Sequence, residues 1–246
     1  MTTPPRLPDA DAPFEVLVLD NHLLGVAKPN GMLVQGDATG DVDLVTRAKG
    51  YLKRRFGKPG NVFVGLVHRL DRPTSGVVLL ARTSKAAGRL AAQFRDRDVE
   101  KRYLAVVAGR LGTGGEMVDG IRKGGGGSVE VVPEAAPGAK RAALRWRTLA
   151  YGDGRSLVEV DLLTGRKHQI RAQLAHRGAP VLGDLRYGDA TPFADGRGVA
   201  LHALRLGVEH PTRREPVVLV ATPPAPWRGL FPEAVARAVA EAGESG

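Results

Sequence analysis

The chain has 246 residues, 43% of them apolar and 25% charged, which is typical of a globular protein with a sizeable core. Its 36 Lys and Arg exceed its 26 Asp and Glu, and the net charge of +10 indicates polyanionic partners such as nucleic acid or an anionic membrane. The lack of cysteine excludes disulfides, thiol nucleophiles and cysteine-ligated zinc, and no apolar run reaches the ~20 residues of a bilayer span. The N-terminus is polar and Pro-rich without an apolar stretch, so we expect no secretory signal and a cytoplasmic protein.

From the N-terminus onward, apolar runs bounded by turn residues predict a series of short strands. We predict strands at residues 15–19, 23–27, 61–67, 77–81, 102–108, 144–148, 158–162, 199–206 and 216–221. The polar stretch at 68–76, which contains Pro73 and Gly76, is predicted to be a loop between two of these strands. Gly124 to Gly127 is predicted to be a hairpin tip, because no Lys-Ser/Thr pair follows it as a phosphate-binding loop requires.

Apolar side chains that recur every three or four residues predict the helices. We predict residues 44–56 behind Asp41 and Asp43, a helix capped by Ser84, a helix from a Thr164 cap to Gly178, and residues 231–240. Many strands with few helices indicate an α+β fold, with a largely antiparallel or mixed central sheet flanked by helices. We place this single domain at residues 14–240, between flexible tails at 1–13 and 241–246.

The loop at 68–76 carries the residue that is most informative about function, Asp71. An Asp between two strands has an ordinary explanation, since its carboxylate often caps a turn by accepting backbone N–H groups. Here Arg69 and Arg72 flank the aspartate. A carboxylate between guanidinium groups stays ionised, is available as a nucleophile, and lies where polyanion-binding groups are concentrated.

Residues 68–76 have the sequence HRLDRPTSG, which resembles the nucleophile motif H-R-L-D-x-x-T-S-G of the RluA-type pseudouridine synthases. Other segments resemble further motifs of that family in the expected order: 27–32 (AKPNGM), 101–106 (KRYLAV), 165–171 (GRKHQIR), 183–188 (GDLRYG) and 201–203 (LHA). The similarity extends from about Phe14 to Trp227. Two departures are Ala27, where an acidic or polar residue is usual, and Gln173, where many relatives have His.

The resemblance implies an RNA pseudouridine synthase fold and activity, with Asp71 as nucleophile or base. It implies that Arg171 pairs with Asp71, and that Tyr103 either stacks on the flipped uracil or handles the C5 proton; stacking is our prediction. Without the family pattern, Arg171 would be a surface residue of a helix and Tyr103 a core aromatic. The isomerisation has no net redox change, so we expect no cofactor and no metal. Contacts to RNA are predicted for Arg69, Arg72, Lys28, Arg166, Lys167 and His168.

Recognition of the substrate is less defined by the sequence. Many relatives carry an N-terminal S4-type RNA-binding module, and the stretch before Phe14 is too short to hold one. We therefore expect the catalytic domain itself, or a partner, to recognise the RNA. The motifs surround a shared active site, so ribosomal RNA and transfer RNA are both expected substrates, and a monomer is the simplest expectation.

Two other classes of function stay open at this point. A non-catalytic RNA-binding protein would account for the charge and the basic loop, but it gives Asp71 no task. A metallohydrolase is a weaker alternative, because its candidate ligands match no spacing of a metal-binding motif. Those candidates are His168, His176, His202 and His210.

Overall fold

The computed structural model describes residues 12–244. This part of the chain contains eleven strands and four α-helices. The strands are β1 (Glu15–Leu19), β2 (Leu23–Lys28), β3 (Gly65–Leu66), β4 (Ser75–Ala81), β5 (Glu100–Ala108), β6 (Gly114–Lys123), β7 (Val129–Val132), β8 (Lys140–Gly152), β9 (Arg155–Leu162), β10 (Leu201–Glu209) and β11 (Pro216–Val220). The helices are α1 (Leu44–Arg55), α2 (Ser84–Asp96), α3 (Gln169–His176) and α4 (Pro232–Glu244). None of these four helices is long and apolar enough to cross a membrane.

The strands form one sheet in the order β1-β2-β4-β10-β5-β9-β8-β6-β7, with β11 beside β10 and β3 beside β4. Neighbouring strands pair antiparallel with one exception. β10 runs parallel to β4, with His202 opposite Ser75 and Ala203 opposite Gly76. The predicted α+β class with a largely antiparallel sheet is confirmed.

β4 and β10 approach each other at Gly76 more closely than a side chain would allow. Gly76 has a φ angle of 116°, and a Cβ at this position would lie 2.3 Å from the carbonyl oxygen of Ala203. Only glycine combines this backbone angle with so close an approach. The glycine that ends the HRLDRPTSG segment is therefore required by the sheet that carries the Asp71 loop.

The core occupies both faces of the sheet. In β4, Val78 and Leu80 belong to one buried cluster and Val77 and Leu79 to another, as the alternation of strand side chains requires. Residues of α1 and α4 pack in the first cluster and residues of α2 in the second. A strand that is buried on both faces needs a continuous apolar run, which residues 77–81 provide. Each fully buried aliphatic side chain contributes about 1.5–3 kcal/mol, so β4 is a rigid support for the loop that precedes it.

The predicted strand at 61–67 is wrong for most of its length, because only Gly65 and Leu66 pair with β4. The backbone N–H of Leu79 in β4 donates instead to His68 Nε2 at 2.9 Å. The imidazole replaces the next backbone acceptor, and the strand ends where the Asp71 loop begins.

The boundaries of α2 and α4 also differ from the prediction. Thr83, and not Ser84, caps α2, and its hydroxyl accepts a backbone N–H of the first turn. α4 continues through Glu244, where Ala242 is buried and its carbonyl accepts from the guanidinium of Arg205. The first four residues of the predicted C-terminal tail are therefore helical. Residues 1–11 of the predicted N-terminal tail, and residues 245–246, lie outside the described part of the chain.

Candidate active site

Asp71 lies in the loop between β3 and β4, and hydrogen bonds to the backbone hold this loop. The carbonyl oxygens of residues 71, 72 and 73 accept from Thr74 N (3.0 Å), Gly31 N (3.0 Å) and Asn30 Nδ2 (2.6 Å). The first bond closes a turn within the loop, and the other two come from the AKPNGM segment, which begins in the last two residues of β2. That segment therefore anchors the loop and fixes the position of Asp71.

Lys28 is a buried part of the same anchor. It is 1% exposed, and its ammonium donates to the carbonyl oxygens of Pro29, Met32 and Arg72 at 2.9–3.1 Å. Burial lowers the pKa of Lys28 to about 7, and the charge of Asp71 opposes this shift. An ammonium with three protein acceptors has no N–H left for a phosphate, so this geometry does not fit the predicted contact of Lys28 with RNA.

The carboxylate of Asp71 is paired with Arg171, which projects from α3. NH1 of Arg171 donates to Asp71 Oδ2 at 3.2 Å, and the arginine is 4% exposed. Asp184, which is fully buried, accepts from Nε at 2.6 Å and from NH2 at 2.8 Å. Burial alone would lower the pKa of Arg171, but its bonds to Asp184 and the charge of Asp71 raise it. Two carboxylates thus fix the guanidinium, and the guanidinium in turn fixes Asp71.

His168 and Tyr187 pack beside this ion pair. His168 Nε2 is 3.9 Å from Asp71 Oδ1, too far for a hydrogen bond, and its Nδ1 is 2.8 Å from the Tyr187 hydroxyl. The same hydroxyl accepts from Val129 N at 3.0 Å, and the Arg171 guanidinium lies 5.3 Å from the centre of the Tyr187 ring. Burial lowers the pKa of His168, and the charge of Asp71 opposes this. The neutral imidazole therefore lies next to Asp71 without competing with Arg171 for its carboxylate.

The turn before α3 directs Arg171 inward. The side chain of Gln169 is buried, and its Oε1 accepts from Thr164 Oγ1 at 2.7 Å and from a backbone N–H of the turn at 3.0 Å. His168 adopts a left-handed backbone conformation with a φ angle of 53°. The predicted cap of α3 by Thr164 is wrong, because its hydroxyl holds Gln169 and the helix begins five residues later. The tertiary bonds of this turn override the local capping preference.

Two cavities meet at Asp71. The first has a volume of about 510 Å³ and contains Tyr103 and Arg171 in its lining, and the second has a volume of about 550 Å³. The cations that line the first cavity are Arg69, Arg95, Arg97, Lys101, Arg166 and Arg171. Asp71 is the sole acid among the described residues that line it. The cations of the second cavity are Arg69, Arg72, Lys167, Arg171 and Arg186.

Tyr103 lies on β5 and is 9% exposed. Burial, and then the charge of Asp71, raises the pKa of its hydroxyl above the usual value. The structure therefore places all three predicted catalytic residues, Asp71, Tyr103 and Arg171, in the lining of the first cavity.

The residues predicted to contact RNA have different environments. Arg69 is exposed and lines both cavities. Arg72 is exposed but pairs with Asp41, and Lys167 donates to the carbonyl of Gly127 at 2.7 Å. Arg166 is half-buried, and its Nε donates to a backbone carbonyl at 2.8 Å. Each of these last three cations has more N–H groups than these bonds use, so each could still contact a phosphate.

The four histidines of the metallohydrolase hypothesis do not converge. His202 is buried between Ser75 Oγ at 2.9 Å and the carbonyl of Ala221 at 2.8 Å, whereas His210 contacts Asp20 at 2.9 Å. Within residues 12–244, the structure contains no group of three or more His, Cys, Asp or Glu side chains that could hold a metal ion. The arrangement around Asp71 and Arg171 supports carboxylate chemistry instead.

Comparison with known proteins identifies the family. Residues 22–176 match the RNA pseudouridylate synthase family. The chain belongs to this family. The family predicted from the HRLDRPTSG segment is thus confirmed, and the chain is an RNA pseudouridine synthase.

Individual relatives are similar to this pseudouridine synthase over most of its length. It is 34% identical over 242 residues to tRNA pseudouridine synthase C of Yersinia pestis, covering 89% of this chain and 90% of that protein. It is 36% identical over 233 residues to ribosomal large subunit pseudouridine synthase D of Xanthomonas campestris pv. campestris, covering 90% of this chain and 69% of that protein. Against tRNA pseudouridine synthase C of Pectobacterium carotovorum, identity is 34% over 242 residues and the chain spans 61% of that protein.

Solved structures of pseudouridine synthase domains share the fold. Human RNA pseudouridylate synthase domain containing 4 superposes with a TM-score of 0.71 at 24% identity, covering 92% of both chains. Human RNA pseudouridylate synthase domain containing 1 gives a TM-score of 0.68 at 26% identity, covering 90% of this chain and 87% of that one. The α+β fold with its mostly antiparallel sheet is therefore that of a pseudouridine synthase domain.

Sequence reasoning assigned no task to two residues of this pseudouridine synthase site, Asp184 and Tyr187. Both occur in the GDLRYG segment, whose only signal in the sequence is its resemblance to a family motif. An Asp and a Tyr in a short segment bounded by glycines form no periodic pattern. The position of this segment in the order of the family motifs was therefore the signal that could have indicated a role in the site. The structure gives the segment its task, which is to hold Arg171 and His168.

Proposed function

We propose that this enzyme isomerises specific uridines of structured RNA to pseudouridine, and that Asp71 is the residue that acts on the target nucleotide. One observation carries the assignment: Asp71 is a single acid, paired with a buried arginine, in a described cavity otherwise charged by six cations. Phosphates and a flipped base would be attracted by the cations, and the carboxylate would be the group able to react.

The chemistry requires little more than a positioned carboxylate. The N1–C1′ bond breaks, the C5–C1′ bond forms, C5 loses its proton and N1 gains one, so atoms and electrons balance without a co-reactant. Asp71 would either attack C1′ or remove the proton from C2′. Because NH1 of Arg171 occupies Oδ2, we assign the reactive role to Oδ1.

Tyr103 is proposed as the stacking surface for the flipped uracil. Burial and the charge of Asp71 raise the pKa of its hydroxyl, so the phenol stays protonated near neutral pH. A neutral ring in the wall of the cavity suits base stacking, which is worth about 1–3 kcal/mol per base. The proposed contacts to the RNA backbone are those of Arg69, Arg72, Arg166 and Lys167, with His168 beside the reacting group.

The proposed substrates are transfer RNA or ribosomal RNA, because relatives named for each are about equally similar to this chain. We propose that the enzyme is cytoplasmic and that it acts as a monomer. Light scattering after gel filtration would test the oligomeric state.

The test uses RNA labelled with tritium at C5 of uridine. Purified wild-type enzyme should release tritium to water, because the new C–C bond forms at C5, and Asp71→Asn should release none. Asp153→Asn is the matched control, because Asp153 is exposed in the β8–β9 turn with a φ angle of 52° that Asn also tolerates. Retained turnover in Asp71→Asn would exclude this residue as the reacting group.

Mapping of pseudouridine in cells that lack the gene identifies the target. Uridines that lose modification and regain it with wild type, but not with Asp71→Asn, are the substrates. If Asp71→Asn restores modification as well as wild type does, or if wild type releases no tritium from any cellular RNA, a non-catalytic RNA-binding function would replace the proposal.

A further inference from the structure

Lys101 is a cation in the wall of the first cavity for which residues 12–244 supply no partner. It precedes Arg102 in β5, and the two side chains point to opposite faces of the strand. Arg102 has Glu100, Glu159 and Asp161 at 3.1–3.9 Å from its guanidinium. The ammonium of Lys101 has no hydrogen bond or ion pair to any residue in 12–244, although the side chain is half-buried and lines the cavity. Acids therefore neutralise Arg102 on one face of β5, whereas Lys101 on the cavity face has no partner in the described chain.

Arg97 and Arg69 extend this unpaired charge. Arg97 ends α2 in a left-handed conformation with a φ angle of 68°, and both arginine side chains are exposed in the lining of the first cavity. Neither has a hydrogen-bond or ion-pair partner for its side chain within the described chain. Burial lowers the pKa of Lys101, and the charge of Arg97 lowers it further, with no acid acting in the opposite direction. Cations placed together without an acid leave room for an anionic ligand.

His68 adds a neutral donor to the same wall. Its Nε2 accepts from Leu79 N at 2.9 Å, so the ring hydrogen is on Nδ1, which has no partner among the described residues. Burial lowers the pKa of His68 to about 3, and Lys101 contributes to the shift, so the ring is neutral at physiological pH. The ring stacks on Phe94 with centroids 4.6 Å apart, and both side chains line the cavity.

We propose that Lys101, Arg97 and Arg69 form a subsite for a backbone phosphate of the RNA. His68 Nδ1–H is assigned as a further donor to the same phosphodiester. The subsite rests on the proposed function, because RNA is taken as the substrate of the cavity. A phosphodiester fits these groups, since it carries one negative charge and accepts from cations and from neutral N–H groups.

The subsite lies next to the reacting nucleotide. Lys101 and Tyr103 are two residues apart on β5, so their side chains share a face and their Cα atoms are about 6.5 Å apart along the strand. A phosphate on Lys101 would therefore belong to the nucleotide stacked on Tyr103 or to its immediate neighbour. Its capture would set the register in which the RNA strand enters the cavity.

The experiment compares the salt dependence of RNA binding in two charge-matched double variants. The subsite variant is Lys101→Gln with Arg97→Asn, since Asn tolerates the left-handed backbone at this position. The control is Lys85→Gln with Arg237→Gln, which removes two exposed cations away from the cavity lining and gives the same net charge. The probe is a fluorescein-labelled RNA stem-loop with a uridine-containing loop, titrated by anisotropy from about 0.05 to 0.3 M KCl.

The slope of log K against log salt should become less negative by about 0.7–0.9 in the subsite variant, because the loss of one phosphate contact changes it by roughly that amount. Affinity at low salt should fall roughly tenfold or more, and the control should match wild type. Thermal unfolding should not drop in the subsite variant, because it removes cations that have no protein partner. Equal slopes in the two double variants would overturn the subsite.

A second arm locates the phosphate. A single uncharged methylphosphonate is placed in turn at each linkage around the target uridine identified by mapping. One linkage adjacent to that uridine should weaken wild-type binding and leave the subsite variant unaffected. If every linkage affects both proteins equally, the assignment is wrong. The binding assay does not depend on turnover. If wild type is inactive but the two double variants show the expected slopes, the isomerase proposal alone is refuted. If wild type is active but the slope of the subsite variant is unchanged, the subsite alone is refuted.

Discussion

The ion pair between Arg171 and Asp184 predicts that the single substitution Asp184→Asn strongly lowers the free energy of unfolding. Asp184 is fully buried and gives Arg171 bonds of 2.6 and 2.8 Å, so Asp184→Asn replaces this carboxylate with one neutral acceptor and leaves Asp71, at 3.2 Å, as the only carboxylate on the guanidinium among the described residues. Breaking a buried ion pair from one side costs about 3–5 kcal/mol, and the oxygen that Asn retains places the expected loss near 3 kcal/mol. At about 2–4 °C per kcal/mol for a chain of this size, the melting temperature should fall by roughly 10 °C.

The assay is urea unfolding followed by circular dichroism, together with tritium release at a temperature where the variant is folded. Turnover should fall at least tenfold, because Arg171 then no longer holds Asp71 in place. Asp96→Asn is the control, since it breaks an ion pair whose side chains are 71% and 54% exposed and should cost under about 1 kcal/mol. A loss below 1 kcal/mol with normal turnover in Asp184→Asn would refute the positioning role.

A companion variant separates stability from chemistry. Arg171→Met combined with Asp184→Leu removes both charges, and apolar replacement of a buried ion pair is often neutral for stability. The double variant should therefore be more stable than Asp184→Asn while remaining inactive. Recovery of turnover in that variant would show that Asp71 does not need Arg171.

Three further predictions concern the support of the site. Gly76→Ala places a Cβ 2.3 Å from the carbonyl oxygen of Ala203 at a φ angle of 116°, so we expect at least about 4 kcal/mol of destabilisation or no folded protein on gel filtration. Burial lowers the pKa of His202 to about 4, so on acidification the imidazole of the unfolded state is protonated before that of the folded state. The free energy of unfolding should therefore fall as the pH drops from about 6.5 to 4. Urea titrations in that window should show a smaller fall for His202→Gln than for wild type. Truncation after residue 240 should lower the free energy of unfolding in urea by about 1–3 kcal/mol, because Arg205 loses the carbonyl of Ala242.

The loop and its supporting strand were predictable from local signals. Pro73 and Gly76 mark the loop, and the unbroken apolar run of β4 matches a strand buried on both faces. Within the predicted strand at 61–67 only Gly65 and Leu66 pair with β4, and after them the side chain of His68 takes the place of a backbone acceptor for Leu79 N. A pattern of apolar residues does not indicate where a side chain will replace a backbone acceptor.

The pairing of charges was the part of the site that the sequence could not provide. Lys28 and Lys101 are both lysines in motif-like segments, yet one is buried against three carbonyls and the other has no side-chain partner in the described chain. Asp184 follows Arg171 by 13 residues, and only the tertiary fold brings them into contact. Composition gives the size of a charge surplus, and the fold determines which cations remain available.

The parallel pairing of β10 with β4 has a consequence for synthesis on the ribosome. β10 inserts between β4 and β5, and the bond between Ser75 and His202 joins residues 127 positions apart. The edges of β4 and β5 therefore stay uncovered until nearly the whole chain has emerged, and such edges attract other strands. A transcript truncated before residue 200 would encode Asp71 and Arg171 but leave a split sheet, so we expect its product to be removed by proteases or to aggregate.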